Sequence, residues 1–569
     1  MRAFLLSIAL LSFVAWPSAR AQDATARANV AALSVVARHG MVVSQEKRAT
    51  HIGVAILEKG GNAVDAAVAV GFALAVTHPQ AGNLGGGGFM LVHLADRQET
   101  IAIDYRETAP QAMTPDIFLD EKGDADPKKS QDSALAVGIP GTVAGLALAH
   151  ERYGSGRFTL ADLIAPAVAL ARDGIPVEDD LADSLTRFES RLARWPSSRG
   201  FFRANGVVLR EGDRFVQTDL AASLEAIAQG GARAFYDGPI AERIMTSVRA
   251  AGGILTRDDF KNYRAILRAP VRGSYRGHDI LSMPPPSSGG IVLVEMLNIL
   301  EGYDLRALGP QAFHVMVEAM KRAYADRAEF LGDPAAVAVP VERLISKSHA
   351  AALRAGIGAR ATPSQEIRSA SPPRREGDNT THFSVVDRFG NAVANTYTLN
   401  FSFGLGLVAE GTGILLNNEL DDFAAKPGSP NAYGLVGGAA NAPGPGKRPL
   451  SSMTPTISLR DGKVSLVTGS PGGSRIITTA LQIVLNTVDR RMGIADAVAA
   501  PRLHHQWLPD EVSAEPGVAP EIIRALEQRG HTVEQSPRAW GSANSILVTP
   551  EGIAGAADPR TRGSLAAGH

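Results

Sequence analysis

A polar, proline-bearing segment in the middle of this 569-residue chain leads directly into a β-hairpin. The stretch from Gly356 to Asn379 contains ARATPSQEIRSASPPRREGDN, whose composition predicts an exposed linker. Two β-branched runs follow it, THFSVVD and NAVANTYTLN, around the turn sequence DRFGN. A fold for this chain must therefore begin a strand pair at the end of an exposed segment, with Thr380 and Thr381 at the junction.

Two threonines face each other across this hairpin if its loop is the five-residue segment DRFGN. That register places Thr380 directly opposite Thr398, with Cβ atoms about 4.5–5.5 Å apart. Asn400 lies two residues beyond Thr398 and points to the same face. The resulting polar cluster is either a water-facing strand surface or part of a functional site.

The remaining pattern predicts an α/β chain. A buried helix that ends at Pro79 is predicted from the string GGNAVDAAVAVGFALAVTHPQ, which is apolar almost all round. A glycine-rich turn and a strand follow it in GNLGGGGFMLVHL. PQAFHVMVEAMKRAYADRAEFLGDP predicts a long helix with Met316, Met320 and Ala323 along one stripe and Pro334 closing it. TPTISL and KVSLVTG predict further strands after the hairpin.

The beginning of the chain resembles a secretory signal. Arg2 precedes the apolar run FLLSIALLSFVAW, and the small-residue pattern ARA at Ala19–Ala21 predicts cleavage after Ala21. An N-terminal membrane anchor is the alternative. No later segment reaches 18 consecutive apolar residues, so we expect an exported protein that is soluble after signal removal, in the periplasm or else in the medium.

Composition and motifs exclude several classes of function. The net charge of −1 argues against nucleic-acid binding, and the absence of cysteine excludes disulfides, thiolate metal sites and a cysteine nucleophile. The chain has no phosphate-binding loop and no G-x-S-x-G motif. His504 and His505 are adjacent and would point to opposite faces of an extended segment, which favours structural roles over a shared metal.

Several strings in this sequence, in order, resemble the γ-glutamyltranspeptidases of the N-terminal nucleophile (Ntn) hydrolase superfamily. They are GGNAVDAAVAVGFALAVTHPQAGNLGGGGF, DYRETAP, MPPPSSGG, EAMKRAYADRAEFLGDP, TTHFSVVD, NNELDDF, KRPLSSMTP and TGSPGGSRI. The resemblance covers nearly the whole chain after the signal. It implies an αββα four-layer sandwich formed jointly by two fragments of one precursor.

The resemblance also implies self-cleavage of the Asn379–Thr380 bond. The products would be a large subunit, residues 22–379, and a small subunit, residues 380–569, which stay together as a heterodimer. Thr380 would then be an N-terminal nucleophile whose own α-amine serves as its base. A threonine hydroxyl alone is a poor nucleophile, and an α-amine, with a pKa of about 7.7–8.0, is partly unprotonated near neutral pH. Thr398 matches the family's second threonine, which orients the nucleophile.

The other family positions can be carried over one by one. Gly472 and Gly473 in GSPGGSR match the oxyanion hole. The site for the substrate's α-carboxylate matches three residues: Arg106, Ser451 and Ser452. The site for its α-ammonium matches three others: Asn400, Glu419 and Asp422. Many bacterial relatives carry Gln at the Glu419 position, so the charge count here differs. Tyr433, in the long loop between Asp422 and Ser451, matches a residue that covers the substrate in lidded members.

These matches imply a γ-glutamyltransferase and glutathione hydrolase. The γ-glutamyl group of glutathione or a related amide would acylate Thr380 and then pass to water or to an amino acid or peptide acceptor, with no metal or organic cofactor. A cephalosporin or glutaryl acylase shares the fold and nucleophile and is the near alternative, although Asp422 argues against it. A secreted protein that only captures γ-glutamyl peptides is the distant alternative.

Overall fold

Two seven-stranded antiparallel sheets carry the architecture of the computed structural model, which describes residues 34–204, 206–368, 379–432 and 434–569. The hairpin sheet contains the central hairpin. From edge to edge its strands are Leu565–Gly568, Gly40–Ser44, Thr381–Asp387, Ala392–Thr398, Gly87–Leu94, Glu99–Tyr105 and Ile266–Arg268. In the same direction the strands of the second sheet are Ser34–Ala37, Gly552–Ala556, Ser545–Thr549, Lys463–Thr468, Thr456–Arg460, His278–Ser282 and Val271–Tyr275.

The hairpin has the register that the sequence predicts. Val386 pairs with Ala392, and Thr381 pairs with Tyr397 at the open end. Its two strands lie between Gly40–Ser44 and Gly87–Leu94, which come from far earlier in the chain. Segments from both sides of the Asn379–Thr380 bond therefore build one continuous sheet, and neither segment could form it alone.

Alternating side chains of the hairpin sheet serve two different cores. Val386 and Ala394 pack with Ile457, Val467 and other residues of the second sheet, so this core joins the two sheets. Val385, which points to the opposite face, packs with the helices that cover the hairpin sheet. This division follows from the two-residue period of a strand buried on both faces.

Helices cover the outer face of each sheet and complete four layers. The helices that share an apolar core with the hairpin sheet are Lys47–Glu58, Ala63–Thr77, Thr142–Tyr153, Leu160–Asp173, Thr218–Gly230 and Pro239–Ala250. The helices that share an apolar core with the second sheet are Gly289–Leu300, Gln311–Phe330, Lys347–Ala355, Arg475–Val488, Ile494–Ala499 and Pro520–Glu527. The predicted αββα architecture is confirmed.

Short elements fill the connections. The short helices are Pro127–Asp132, Asp179–Arg187, Glu189–Leu192, Pro196–Phe201, Ala232–Tyr236, Arg257–Asn262, Val341–Leu344 and Ser364–Ile367. The single-turn 3₁₀ segments are Ala134–Ala136, Glu419–Asp422 and Ala439–Asn441. The minor strands are Ile175–Pro176, Arg203–Ala204, Val207–Val208, Arg214–Phe215, Val408–Ala409, Ile414–Leu415, Leu503–His504, Val512–Ala514 and Val533–Gln535.

The helix predicted after GGN is present and fully buried. It spans Ala63–Thr77, and the Asn62 side chain accepts hydrogen bonds from the N–H groups of Val64 and Asp65. The Asp65 carboxylate accepts in return from Asn62 N–H at 3.0 Å. This reciprocal cap satisfies the first backbone donors of the helix and explains why it begins where it does.

One local prediction needs correction: the helix expected to run to Pro334 ends at Phe330, and Leu331 is already extended. In the described part of the predicted linker, residues 356–368 and Asn379, every residue except Ser364 is exposed or half-buried, as expected. Ser364 is buried, and its Oγ donates to the Trp507 carbonyl at 2.6 Å. Residues 369–378 of that linker, like residues 1–21 of the predicted signal, lie outside the described residues. Among the described helices, none combines the length and apolar character needed to span a bilayer.

Candidate active site

A chain of hydrogen bonds joins the two hairpin threonines to the bond predicted to be cut. Thr380 Oγ1 donates to Thr398 Oγ1 at 3.3 Å. Thr398 Oγ1 donates to the carbonyl oxygen of Asn379 at 3.0 Å. Thr398 therefore touches both the hydroxyl predicted to attack and the carbonyl predicted to be attacked. The resemblance implies that Thr398 orients Thr380, and the structure adds a hydrogen bond from Thr398 to the Asn379 carbonyl.

Backbone geometry fixes Thr398 in this position. Asn400, with φ of 75°, turns its N–H back to donate to Thr398 Oγ1 at 2.9 Å. Gly86 of the glycine-rich turn lies against the Thr398 carbonyl, and a Cβ at residue 86 would come within 2.0 Å of that oxygen. A side chain there would displace the strand end, so the turn needs glycine at this position.

Gly472 and Gly473 supply two N–H groups at the start of the helix Arg475–Val488. Their φ angles are 128° and 53°, a left-handed region that glycine adopts readily. Neither N–H donates to an acceptor among the described residues. Gly473 lines the same pocket as Thr380. Two free donors at a helix N-terminus can stabilise a developing oxyanion beside the nucleophile.

Arg106 forms ion pairs with two carboxylates at the other wall of the pocket. Its Nη2 lies 2.5 Å from Asp422 Oδ2, and its Nη1 bonds Glu419 Oε1. Its Nε donates to the Pro449 carbonyl at 3.1 Å. The residues expected to bind a carboxylate and those expected to bind an ammonium group are therefore in direct contact with each other.

A third acid, Glu107, contributes to this cluster although the sequence analysis does not select it. Its Oε2 lies 3.8 Å from Arg106 Nη1, and it is fully buried. Burial raises the pKa of Glu107 to about 7 and raises the pKa of Glu419 well above its usual range. Burial also raises the pKa of Asp422, against the opposing effect of Arg106. The cluster can therefore hold a proton near neutral pH.

One pocket brings together most of the predicted residues. It is lined by Arg106, Thr380, Thr398, Asn400, Glu419, Asp422, Leu435, Ser451, Ser452, Met453, Gly473 and Ile476. The Thr380 hydroxyl, Gly473 and a cluster of both charge signs thus line one cavity. This arrangement places a hydroxyl beside groups that can contact an anion and a cation.

Comparisons with known proteins agree with this geometry. The sequence profile of the family described as Gamma-glutamyltranspeptidase matches residues 49–568. The chain is 53% identical over 541 residues to the glutathione hydrolase proenzyme of Escherichia coli strain K12, covering 94% of this chain and 93% of that one. The chain belongs to the γ-glutamyltranspeptidase family.

The chain is also similar to proteins named as acylases. The Acylase ACY 1 proenzyme of Pseudomonas sp. strain V22 is 39% identical over 536 residues, covering 92% of this chain and 93% of that one. The crystal structure of cephalosporin acylase from Bacillus halodurans superimposes with a TM-score of 0.83 at 27% identity, covering 99% of both chains. The γ-glutamyltranspeptidase fold therefore holds for the whole described chain, and the acyl group must be decided from the pocket.

The loop predicted as a lid packs on the acidic segment. Asn431 Nδ2 donates to Asp422 Oδ1 at 3.0 Å, and the N–H of Ala432 donates to Asp421 Oδ2 at 3.2 Å. Leu435 lines the pocket itself. Tyr433, expected to cover the substrate, lies outside the described residues.

The histidines predicted to be structural contact separate partners. His504 bonds Thr478 Oγ1 and Gln506, whereas His505 Nε2 faces Asp510 at 3.3 Å. Among the described residues, two other clusters have side chains of metal-ligating type within reach of one another: His314, Glu318 and His531, and Glu295, Asp326 and His349. Neither cluster includes a residue that lines the pocket.

Proposed function

We propose that this γ-glutamyltranspeptidase cuts its own Asn379–Thr380 bond and then uses Thr380 to transfer the γ-glutamyl group of glutathione and related amides. The observation that carries the proposal is the hydrogen-bond chain from Thr380 through Thr398 to the Asn379 carbonyl, in a pocket walled by paired opposite charges.

Self-cleavage begins with attack of Thr380 Oγ1 on the carbonyl carbon of Asn379. The C–N bond breaks, the nitrogen of Thr380 takes the hydroxyl proton, and an ester joins Asn379 to Thr380 Oγ1. Water hydrolyses this ester and leaves the Asn379 carboxylate and a free α-amine on Thr380. Thr398, which donates to the same carbonyl oxygen, stabilises the charge that develops there.

Transfer uses the amine that this cut releases. The neutral amine removes the proton from Thr380 Oγ1, which attacks the γ-carbonyl carbon, and Gly472 and Gly473 N–H groups hold the oxyanion. The amide C–N bond then breaks, and the amine returns the proton to the leaving nitrogen. Water gives glutamate from the γ-glutamyl ester, whereas an amino acid or peptide amine gives a new γ-glutamyl compound.

Recognition of the donor follows from the contact between the two charge signs. The α-carboxylate and α-ammonium of a γ-glutamyl group are attached to one carbon, so their partners must be adjacent. Arg106 and Asp422 are adjacent in this sense, because Arg106 Nη2 lies 2.5 Å from Asp422 Oδ2. A carboxylate suits the fork of Arg106 with Ser451 and Ser452, and an ammonium suits Asn400, Glu419 and Asp422.

A cephalosporin or glutaryl acylase is the second candidate, because relatives with such names share the fold. A glutaryl group has no ammonium and offers nothing to a second carboxylate beside Arg106. Burying Glu419 and Asp422 against Arg106 serves such an enzyme poorly, and this favours the γ-glutamyl donor.

The precursor is proposed to be exported, with residues 1–21 removed and residues 22–379 and 380–569 remaining together as a heterodimer. The shared hairpin sheet supports the last point, since the strand Gly40–Ser44 of the first segment lies between Leu565–Gly568 and Thr381–Asp387 of the second. The periplasm is the expected location, from the signal pattern alone.

The test is release of glutamate from glutathione by the purified protein, followed without acceptor and with glycylglycine. We expect glutamate in the first case and additional γ-glutamyl-glycylglycine in the second. The Thr380→Ala variant should form neither product. Hydrolysis of glutaryl amides with no action on glutathione would instead identify an acylase.

A further inference from the structure

A second arginine, Arg327, lies directly behind the pocket on the helix Gln311–Phe330. It is 4% exposed, and its Nε donates to Ser288 Oγ at 2.9 Å and its Nη2 to Ser452 Oγ at 3.2 Å. Among the described residues it has no carboxylate partner within ion-pair distance. Arg322, buried on the same helix, is paired with Glu318. Within the described ranges, the guanidinium of Arg327 is thus a buried cation whose hydrogen-bond partners are the hydroxyl groups of Ser288 and Ser452.

The bond from Arg327 determines what Ser452 can offer to a ligand. A guanidinium only donates hydrogen bonds, so Ser452 Oγ must accept from it and keeps its own proton. No acceptor for that proton is present among the described residues, and Ser452 lines the pocket. The Ser452 hydroxyl can therefore donate its proton to an anion in the pocket, and the positive charge of Arg327 lies directly behind it.

Arg327 also supports Ser451 through a second route. Ser288 Oγ accepts from Arg327 and donates to the Ser451 carbonyl at 2.7 Å. The hydroxyl of Ser451 accepts from the N–H of Met453 at 3.1 Å and, in the part of the chain that the structure describes, donates to no acceptor. The two pocket serines thus present two donors, and one guanidinium holds both of them in place.

The charge of Arg327 complements that of Arg106. Arg106 is already engaged by Glu419 and Asp422, so much of its charge is neutralised within the wall of the pocket. Burial lowers the pKa of Arg327 to about 10, which still leaves it cationic at pH 7. An anion bound at Ser452 would give this buried cation a counter-charge.

We infer that Arg327 is a positioning residue for the α-carboxylate of the donor: it turns the Ser452 hydroxyl toward the pocket, fixes Ser451 through Ser288, and supplies positive charge behind both. The inference rests on the proposed function, because it assigns the carboxylate of a γ-glutamyl group to these serines. It gives a role to the MPPPSSGG and ADRAEFLGDP motifs, from which Ser288 and Arg327 come.

The test compares Arg327→Gln and Arg327→Lys with the wild type on three p-nitroanilides. The γ-glutamyl compound has both charges, the glutaryl compound lacks the ammonium, and the 4-aminobutyryl compound lacks the carboxylate. For Arg327→Gln we expect KM to rise about tenfold to a hundredfold on the first two, the range for hydrogen bonds to charged groups. Turnover at saturation should change little, and kcat/KM on the third should stay near the wild-type value. Arg327→Lys should recover part of the loss.

Arg322→Gln is the matched control, since it removes a buried arginine from the same helix without touching the pocket serines. It should lower thermal stability and leave KM unchanged. Equal losses on all three anilides, or no loss on any, would overturn the inference while leaving γ-glutamyl transfer intact. If the Gln variant fails to cut itself, the Lys variant undergoes the same comparison. A wild type that acts on none of the anilides would refute the proposed function instead.

Discussion

Replacing Asp422 with asparagine removes one charge from the recognition cluster while keeping the size of the side chain. Asp422 pairs with Arg106 at 2.5 Å and accepts from Asn431 Nδ2 at 3.0 Å. Its side chain is 11% exposed, so water screens the pair little. In the variant Arg106 keeps its contacts with Glu419 and Glu107, and the proposed ammonium site loses the Asp422 carboxylate.

The size of the effect follows from this burial. Removing one member of a buried charge pair costs about 2–5 kcal/mol, and about 1.4 kcal/mol corresponds to a tenfold change. We therefore expect kcat/KM for glutathione to fall at least about 30-fold. A glutaryl amide has no ammonium group, so the substitution removes no contact with it. With less negative charge beside it, Arg106 also binds the glutaryl carboxylate better. The kcat/KM of the variant for a glutaryl amide should therefore fall far less than for glutathione, or rise.

The assay measures kcat/KM on γ-glutamyl and glutaryl p-nitroanilides, with a gel to show that Asp422→Asn still cuts itself. The control is Asp421→Asn, because the neighbouring Asp421 accepts from Ser130 Oγ at 2.6 Å and does not line the pocket. That variant should keep the wild-type preference. If Asp422→Asn lowers kcat/KM equally on both substrates and still cuts itself normally, Asp422 is not the partner of the ammonium group.

Three further predictions follow from the hairpin. Thr398→Val removes the donor to the Asn379 carbonyl and should slow self-cleavage at least about 100-fold in a gel time course, whereas Thr398→Ser should retain most of the rate. Acylation by a γ-glutamyl anilide should rise with pH through roughly 7–8, the range of an α-amine; a flat rate from about pH 6 to 9 would count against Thr380 as its own base. Burial lowers the pKa of His382 to about 3, so His382 is neutral when folded and takes up a proton near pH 6.5 when unfolded. Its contribution to stability is present above pH 6.5 and is lost as pH falls toward 3, by up to about 1.4 kcal/mol per pH unit. Between about pH 6 and 4, Tm should therefore fall less steeply for His382→Gln than for the wild type. Parallel plots of Tm against pH for the two proteins would contradict the prediction that buried His382 destabilises the fold at low pH.

The hairpin could be predicted from the sequence because its geometry is local. One assumed loop length and the period of a strand place Thr380 opposite Thr398, and the structure has these hydroxyls 3.3 Å apart. The four-layer fold and most pocket positions came from the family resemblance. Periodicity alone gave only an α/β chain.

The ion pairs of the pocket could not be predicted from local pattern. Arg106 and Asp422 are separated by 316 positions in sequence and meet only through the packing of both subunit segments. The resemblance assigns Arg106 to the carboxylate and Asp422 to the ammonium of the substrate, and it does not say that the two side chains bond each other, as they do in the structure. Glu107 was missed because an acid beside an arginine in DYRETAP looks like an ordinary surface pair.

Arg327 was missed although a signal for it exists. The stripe formed by Met316, Met320 and Ala323 continues to Arg327 at the same helical spacing. All four side chains are buried in the structure. An arginine on the apolar stripe of a buried helix indicates a charge that the fold must satisfy, and this pattern could have singled out Arg327.

The central claim is that Thr380 becomes an N-terminal nucleophile by cutting the chain before itself. Its most direct test is N-terminal sequencing and intact-mass measurement of the purified protein. The account predicts two fragments, the smaller beginning Thr380-Thr381-His382 and ending at His569, and a single uncut chain for Thr380→Ala. A small fragment that begins at another residue, or an uncut Thr380→Ala chain that still hydrolyses glutathione, would contradict it.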